Sequence, residues 1–315
     1  MSRGTDQGPG TNRRILLMVH EARPEALAVA VRVAGELRAA GLEIAILDTE
    51  ARALAVAGLD DAEVVPHDEG AAQGFELALV LGGDGTILRA TEVCRGTETP
   101  VLGVNLGHVG FLAEADVADL HDVVQGIVER TYTVEERLTV DVRVLVGGEV
   151  VATNWALNEA SVEKAARERM LELVVEIDDR PVSRWGCDGL VCATPTGSTA
   201  YNFSAGGPVV WPQVEALLMV PISAHALFAR PLVVSPEAVL AVEIVGDRAN
   251  GVLWCDGRRA AELPVGARIE VRRGSVPARL ARLHDAPFAD RLVRKFDLPV
   301  EGWRGAAERR HHGGA

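Results

Sequence analysis

Apolar positions in the first third of the chain fall into short runs separated by longer amphipathic stretches. Ile15–Val19 is an unbroken apolar run, the signature of a strand covered on both faces. The Ala-rich, charge-spaced stretch Pro24–Ala40 reads as a helix, with Gly41 as its terminator. Leu42–Leu47, Glu76–Leu81 and Pro100–Asn105 read as further strands. Strands alternating with helices predict βαβ units and a parallel sheet.

From Tyr132 the rhythm changes to period two. Leu138, Val140, Val142, Val144 and Val146 alternate with Thr139, Asp141, Arg143 and Leu145, and Gly147-Gly148 then signals a tight hairpin into Glu149–Ala152. Leu171, Leu173, Val175 and Ile177 alternate likewise and end at the turn Asp178-Asp179-Arg180. Leu240, Val242, Ile244, Ile269 and Val271 continue the pattern, which predicts antiparallel β-structure. The boundary is expected near Thr131. An α/β domain with a Rossmann-like parallel sheet is expected over residues 14–130, and a β-rich, sandwich-like domain over residues 131–284. Residues 1–13 and 305–315 read as disordered tails.

Composition narrows the chemistry. With 45 Asp and Glu against 32 Lys and Arg, the net charge is −13. That balance speaks against a nucleic-acid binder, whose affinity rests on neutralising phosphates. Aromatic residues make up only 4%, which speaks against a base-stacking platform. No apolar run reaches the ~20 residues that span a bilayer, and Met1–Arg14 lacks an apolar signal core. Cys94, Cys187, Cys192 and Cys255 show no CxxC pairing and read as reduced cytoplasmic thiols. Lys164 and Lys295 are the only lysines and neither follows a glycine, which excludes a Walker-A loop. Phosphate, if handled here, is handled by backbone amides, arginine and metal.

The sharpest chemical feature is Leu81-Gly82-Gly83-Asp84-Gly85-Thr86, a glycine-rich turn between a strand and a helix on which Ile87, Ala90, Thr91 and Cys94 share a face. Such a turn presents a concave row of amide N–H groups suited to phosphate, with one carboxylate, Asp84, at its centre. The plainer alternative is a tight turn with a solvated aspartate. Asn105-Leu106-Gly107-His108-Val109-Gly110-Phe111-Leu112 follows the next strand, at the sheet end where open α/β folds bind ligands. Asn158-Glu159 pairs an amide with a carboxylate at a strand end, and Asp188–Tyr201 joins a buried strand to a dense hydroxyl cluster.

GGDGT, NLGHVGFL, NE and DGLVCATPTGSTAY, in this order and spacing, resemble the NAD kinases over Ile15–Arg304, most closely the actinobacterial ones. GGDGT alone is shared with phosphofructokinases and with lipid kinases of the diacylglycerol and sphingosine type. The TPTGSTAY run and the NE pair are what point to the NAD branch. The resemblance implies an α/β N-terminal domain, a β-rich C-terminal domain and a C-terminal segment, 285–304, that returns to the first. It implies transfer of the ATP γ-phosphoryl group to the 2′-hydroxyl of the adenosine ribose of NAD, with Mg²⁺ or Mn²⁺ bound mainly with ATP. Polyphosphate is the alternative donor. Asp84 matches the proposed proton acceptor, Gly82, Gly83, Gly85 and Thr86 form the phosphate loop, and Arg89 offers a nearby cation. Asn158, Glu159, Asp188, Thr199, Ala200, Tyr201, Asn202, Phe203 and Ser204 match NAD-contacting positions, with Arg169 and Asp256 as weaker matches. The chain departs from the family at Gly186, where a basic residue is frequent, and at His108, where arginine is common. No dedicated protein metal site is expected, and a homodimer or homotetramer built through the β domains is.

Two rivals stay open at this point. A lipid kinase sharing GGDGT would show a basic amphipathic helix or an exposed aromatic cluster, and the sequence has neither. A non-catalytic NAD-binding module of dehydrogenase type would carry G-x-G-x-x-G, a spacing that does not occur here.

Overall fold

The computed structural model describes residues 13–107, 110–166, 169–246, 250–283 and 287–300. His108, residues 1–12 and 301–315 therefore lie outside the described residues. Those up to Glu135 and from Leu280 form one compact unit, and Glu136–Arg279 form another.

The first unit opens as an alternation: β1 (Arg14–Val19), α1 (Pro24–Ala39), β2 (Glu43–Leu47), α2 (Asp48–Ala57), β3 (Glu63–Val65), β4 (Leu77–Leu81), α3 (Asp84–Val93), β5 (Val101–Asn105), β6 (Ala115–Asp116), α4 (Leu120–Glu129) and β7 (Thr133–Arg137). The second unit holds β8 (Val140–Val146), β9 (Glu149–Ala156), β10 (Glu159–Lys164), β11 (Leu171–Ile177), β12 (Arg180–Cys187), β13 (Gly189–Ala193), the short α5 (Tyr201–Ser204), β14 (Leu217–Ile222), β15 (Leu232–Val234), β16 (Leu240–Val245), β17 (Gly251–Cys255), β18 (Arg259–Leu263) and β19 (Arg268–Arg273). β20 (Ala278–Arg282) carries the chain back to the first unit, where α6 (Phe288–Phe296) follows.

The first sheet runs β3-β2-β1-β4-β5-β20-β7, with β6 on β5, and its β1, β2, β3, β4 and β5 pairings are parallel. Ile15–Val19 and Leu77–Leu81 have no solvent exposure at all, as a parallel strand covered on both faces requires. The strand order reverses between β1 and β4, which makes the carboxyl ends of these two strands the topological switch point. α3 starts there. It buries Ile87, Ala90, Thr91 and Cys94, the face expected from their spacing.

The second unit is a sandwich of two six-stranded sheets, β15-β14-β13-β10-β17-β18 and β12-β11-β16-β19-β8-β9. Their inner faces close on one core that includes Trp185, Leu217, Met219, Leu253 and Ile269. The two expected hairpins form. Gly147 and Gly148 take φ of 60° and 87°, and Asp178 and Asp179 take 52° and 59°, the left-handed pair that matches strand twist. Aspartate tolerates that region because its short side chain bonds locally, and Asp178 accepts the Val239 N–H at 2.9 Å.

α2 had no sequence signal strong enough to name it. Its ten residues bury only Glu50 and Leu54, and Gly58 at φ 107° ends it. No helix of the described residues is long and apolar enough to cross a membrane.

Candidate active site

In the first unit the glycine-rich turn ahead of α3 is built from backbone. The Gly82 N–H is held by the Val104 carbonyl of β5 at 2.9 Å, which pins the turn to the sheet. Gly83 caps α3 in extended conformation, and the Thr86 and Ile87 amides fold back onto its carbonyl at 2.9 and 3.1 Å. Among the described residues the Asp84 and Gly85 amides have no protein partner, and they sit at the positive end of a ten-residue helix. Two free amides on a helix N-terminus attract an anion.

Asp84 does not point into solvent from this turn. Its Oδ2 accepts the Phe111 N–H at 3.0 Å and its Oδ1 the Leu112 N–H at 3.1 Å. The two glycine-punctuated segments that read as separate motifs are thus one assembly, joined by a carboxylate. Gly110 makes the approach possible, since a Cβ there would lie 2.2 Å from Asp84 Oδ1.

Arg89, expected to offer a cation to phosphate, donates from its Nη2 to the Val19 carbonyl at 2.9 Å and to the Glu50 carboxylate. Glu50 is fully buried, also accepts the Val19 N–H at 2.9 Å, and is pushed up to about 7 by burial, against the pull of Arg89. A buried carboxylate without a partner costs several kcal/mol, which the guanidinium offsets here. The pair ties α3 and α2 to the end of β1. Sequence reasoning missed Glu50, and no local signal marks it.

In the second unit the site is built from side chains. Leu157 and Asn158 link β9 to β10, and Asp256 holds both: Oδ2 accepts the Leu157 N–H at 3.0 Å and Oδ1 the Asn158 N–H at 2.7 Å. Arg259 donates to the same carboxylate at 2.9 Å and stacks 4.4 Å from the Trp155 ring centre. With its side chain 1% exposed, Asp256 supports the Asn158-Glu159 segment from beneath.

Glu159 is itself buried and its carboxyl accepts the Tyr201 N–H at 3.2 Å. Burial first, and the neighbouring Asp256 charge second, push it up to about 8. A carboxyl raised in this way keeps its proton to higher pH than an ordinary glutamate, and in that form it can donate as well as accept.

The hydroxyl-rich run folds against this segment. The Thr194 hydroxyl donates to the Leu157 carbonyl at 2.6 Å and accepts the Gly197 N–H at 3.1 Å. Gly197 lies so close that a Cβ would sit 1.9 Å from the Asn158 carbonyl oxygen. Ser198 exchanges hydrogen bonds with the Val210 backbone. Asn202, also expected to touch NAD, is fully buried and donates to the Ser198 and Pro208 carbonyls, both at 3.1 Å. It closes the turn. Thr199, Ala200 and Tyr201 stay half-buried, while Phe203 and Ser204 are exposed. Asp188 pairs with Lys164. The Tyr201 phenol is raised by burial and by the charges of Glu163, Glu159 and Asp188. Arg169 is exposed in the β10–β11 connection, and Gly186 bridges the His225 backbone.

Comparison with known proteins decides the family. A model described as ATP-NAD kinase N-terminal domain matches residues 15–132, and one described as ATP-NAD kinase C-terminal domain matches residues 157–283. The chain belongs to the NAD kinase family. Its members phosphorylate NAD to NADP, and this chain is an enzyme of that class.

Among curated relatives, the NAD kinase of Thermobifida fusca is 58% identical over 312 residues, covering 97% of this chain and 96% of its own. NAD kinase 2 of Streptomyces avermitilis is 61% identical over 295 residues, covering 93% and 97%. The fold matches the crystal structure of yeast NADH kinase complexed with NADH at a TM-score of 0.83 and 22% identity, covering 93% of this chain and 90% of that one. It also matches an Archaeoglobus fulgidus NAD kinase in complex with ATP at a TM-score of 0.71 and 25% identity, covering 91% and 100%. The parallel-sheet α/β unit followed by an antiparallel β unit is the NAD kinase architecture.

Proposed function

We propose that the enzyme transfers the γ-phosphoryl group of ATP to the 2′-hydroxyl of the adenosine ribose of NAD. The observation that carries this reading is the head of α3: two unpartnered amides beside one carboxylate fixed by two others. Phosphoryl transfer demands positioning and charge stabilisation more than covalent help from the protein. The Asp84 and Gly85 amides receive phosphate oxygens. Asp84 stands beside them, and each of its oxygens keeps a lone pair beyond the one its amide partner uses. It accepts the ribose proton as the hydroxyl attacks, or it orients the nucleotide's cation.

A single carboxylate beside free amides fits a cation arriving with ATP, because Mg²⁺ retains waters and phosphate oxygens and takes only one or two carboxylates. Asp84 is the carboxylate suited to it, with Mn²⁺ as a substitute, and the cation supplies neutralisation of phosphoryl charge. In the second unit Asn158, Glu159, Tyr201 and Asp188 are the groups proposed to receive NAD. A protonated Glu159 suits an acceptor or donor edge without adding charge beside the dinucleotide phosphates.

The buried, unpaired cysteines support a cytoplasmic setting. Leu227, Phe228 and Val233 are large apolar side chains exposed on the β unit, which supports a homodimer or homotetramer formed there. Light scattering that finds a fully active monomer removes the oligomer. The function itself is tested by incubating the purified chain with NAD, ATP and Mg²⁺ and reading NADP with an NADP-specific dehydrogenase. Parallel reactions with polyphosphate and with NADH set the donor and the acceptor form. Absence of NADP in every arm sinks the proposal.

A further inference from the structure

The stretch that holds Asp84 is itself held from the far end of the chain. α6 carries Phe288, Arg291, Leu292 and Phe296 on one half-buried face, while Ala289, Asp290, Arg294 and Lys295 stay exposed. Phe288 and Phe296 each place their ring centre 5.8 Å from that of Phe111. Arg291 Nη1 donates to the Phe111 carbonyl at 3.2 Å and to the Ala113 carbonyl at 3.0 Å. Its Nη2 donates to Glu114 at 2.8 Å. Glu114 has no side-chain exposure, and it also binds Arg282 at 2.9 Å and the Leu283 N–H at 3.2 Å.

Phe111 is therefore gripped from both sides, its N–H by Asp84 and its carbonyl by Arg291. We propose that Arg291 is a positioning residue for Asp84: it fixes the 111–113 backbone so that the Phe111 and Leu112 amides aim the carboxylate at the phosphate loop. The proposal rests on the reading of Asp84 as the group that meets the acceptor. Phe111 lies 180 positions from Arg291 in sequence, yet the path between Arg291 and Asp84 is a single peptide unit, the Phe111 carbonyl and the Leu112 N–H. A planar guanidinium reaching two carbonyls and a carboxylate imposes an orientation that a lysine point charge does not.

The test is Arg291→Met beside Arg291→Lys and Asp84→Asn in the full chain. Folding is expected to survive, because Glu114 keeps Arg282 and α6 buries no residue completely. Misplacing a reacting group by a fraction of an ångström to one ångström costs roughly ten- to a hundred-fold in rate, so kcat of Arg291→Met should fall by that factor. KM for NAD should stay within about two-fold, and the Phe111 and Leu112 amides should exchange with deuterium faster. Arg291→Lys should recover part of kcat. Phe288→Ala, which loosens the same stretch without removing charge, should show a smaller loss of the same kind. Wild-type kcat in Arg291→Met alongside an inactive Asp84→Asn overturns the positioning role alone. A fall in kcat matched by equal losses of NAD affinity and thermal midpoint also overturns it, because that is general destabilisation. If Asp84→Asn stays active, the underlying reading of Asp84 fails, whatever Arg291 does.

Discussion

The two site regions solve the problem of holding a carboxyl group in opposite ways. At the head of α3, Asp84 is half-exposed and each of its oxygens receives a backbone amide. In the second unit, Glu159 is buried, receives one amide and lies beside a second buried carboxyl, Asp256. Asp256 differs again, since two amides and Arg259 meet it. Burial pushes Asp256 up and those three donors pull it back, whereas Glu159 climbs to about 8. Donor count against burial, and not residue type, separates a structural carboxylate from a neutral acid able to donate. The first region offers ligands a fixed backbone lattice. The second offers a side chain whose charge depends on pH.

The contrast is broken most severely at Asp84. Asp84→Asn keeps one acceptor for the Phe111 or Leu112 amide but can neither take the ribose proton nor add charge for a cation. Loss of a general base is worth roughly 10² to 10⁴ in rate, so kcat should fall at least that far while NAD affinity by calorimetry holds. If kcat stays within a few-fold of wild type at saturating NAD and Mg-ATP, Asp84 is a loop clasp only.

Arg89→Met tests the scaffold behind the same loop. Removing one member of a buried pair costs about 3 to 5 kcal/mol when the partner stays charged. Glu50, at about 7, escapes part of this by taking a proton. Unfolding in urea should therefore show a loss at or below the lower end of that range at pH 6, growing toward pH 8. Adding Glu50→Gln to Arg89→Met should restore part of it. A loss independent of pH would mean that Glu50 is not the group left behind.

What the sequence made legible divides along the same line. Elements that follow from local chemistry were readable: the buried runs of β1 and β4, the alternation of β8 and β11, the turn at Asp178-Asp179-Arg180, and a glycine turn ahead of α3. Site features made by tertiary contact were not. Glu50 carries no residue-type signal, because its meaning comes from Arg89 and Val19 brought to it by the sheet. Arg291 is one of many arginines until α6 packs on Phe111. Asp256 and Asn202 were expected at NAD-contacting positions from the family resemblance, and their burial and backbone partners show a packing role that the motif alone does not carry. Periodicity reports which face is covered, but it does not report which polar side chain a fold consumes internally.

Glu159 sharpens the second half of the comparison. Glu159→Ala leaves the Tyr201 amide without its acceptor and removes the carboxyl proposed to meet NAD, with an expected loss of about 1 to 3 kcal/mol or roughly five- to a hundred-fold in affinity. Glu159→Gln resembles the protonated acid, with one acceptor oxygen and an N–H donor, so its NAD affinity at pH 7 should stay within a few-fold of wild type. Should Gln prove as damaging as Ala at pH 7, the side chain is working as an anion and the neutral-acid reading is wrong.

The smallest effect is a slope, and it separates the two buried glutamates from each other. Both have folded-state values above the ordinary 4.5 of a glutamate, Glu50 at about 7 and Glu159 at about 8. Between 4.5 and those values the folded state keeps a proton that the unfolded chain has released. Stability must therefore fall as pH rises through that window, by up to about 1.4 kcal/mol per pH unit for each group. The contribution is complete below 4.5 and gone once pH passes the folded value. Carboxylates held low by cations, such as Glu76 between Arg13 and Arg130, act with the opposite sign, so the wild-type curve alone mixes the two. Glutamine variants isolate each group, because glutamine does not titrate. The stability of Glu159→Gln relative to wild type should grow with pH and level off past about pH 8, while that of Glu50→Gln should level off near pH 7. Denaturant titrations at half-unit intervals from pH 5 to 9 read both plateaus. A flat difference for Glu159→Gln would place its carboxylate in the ionised form throughout, and the pH-dependent side of the comparison would then collapse onto the Asp84 kind of site.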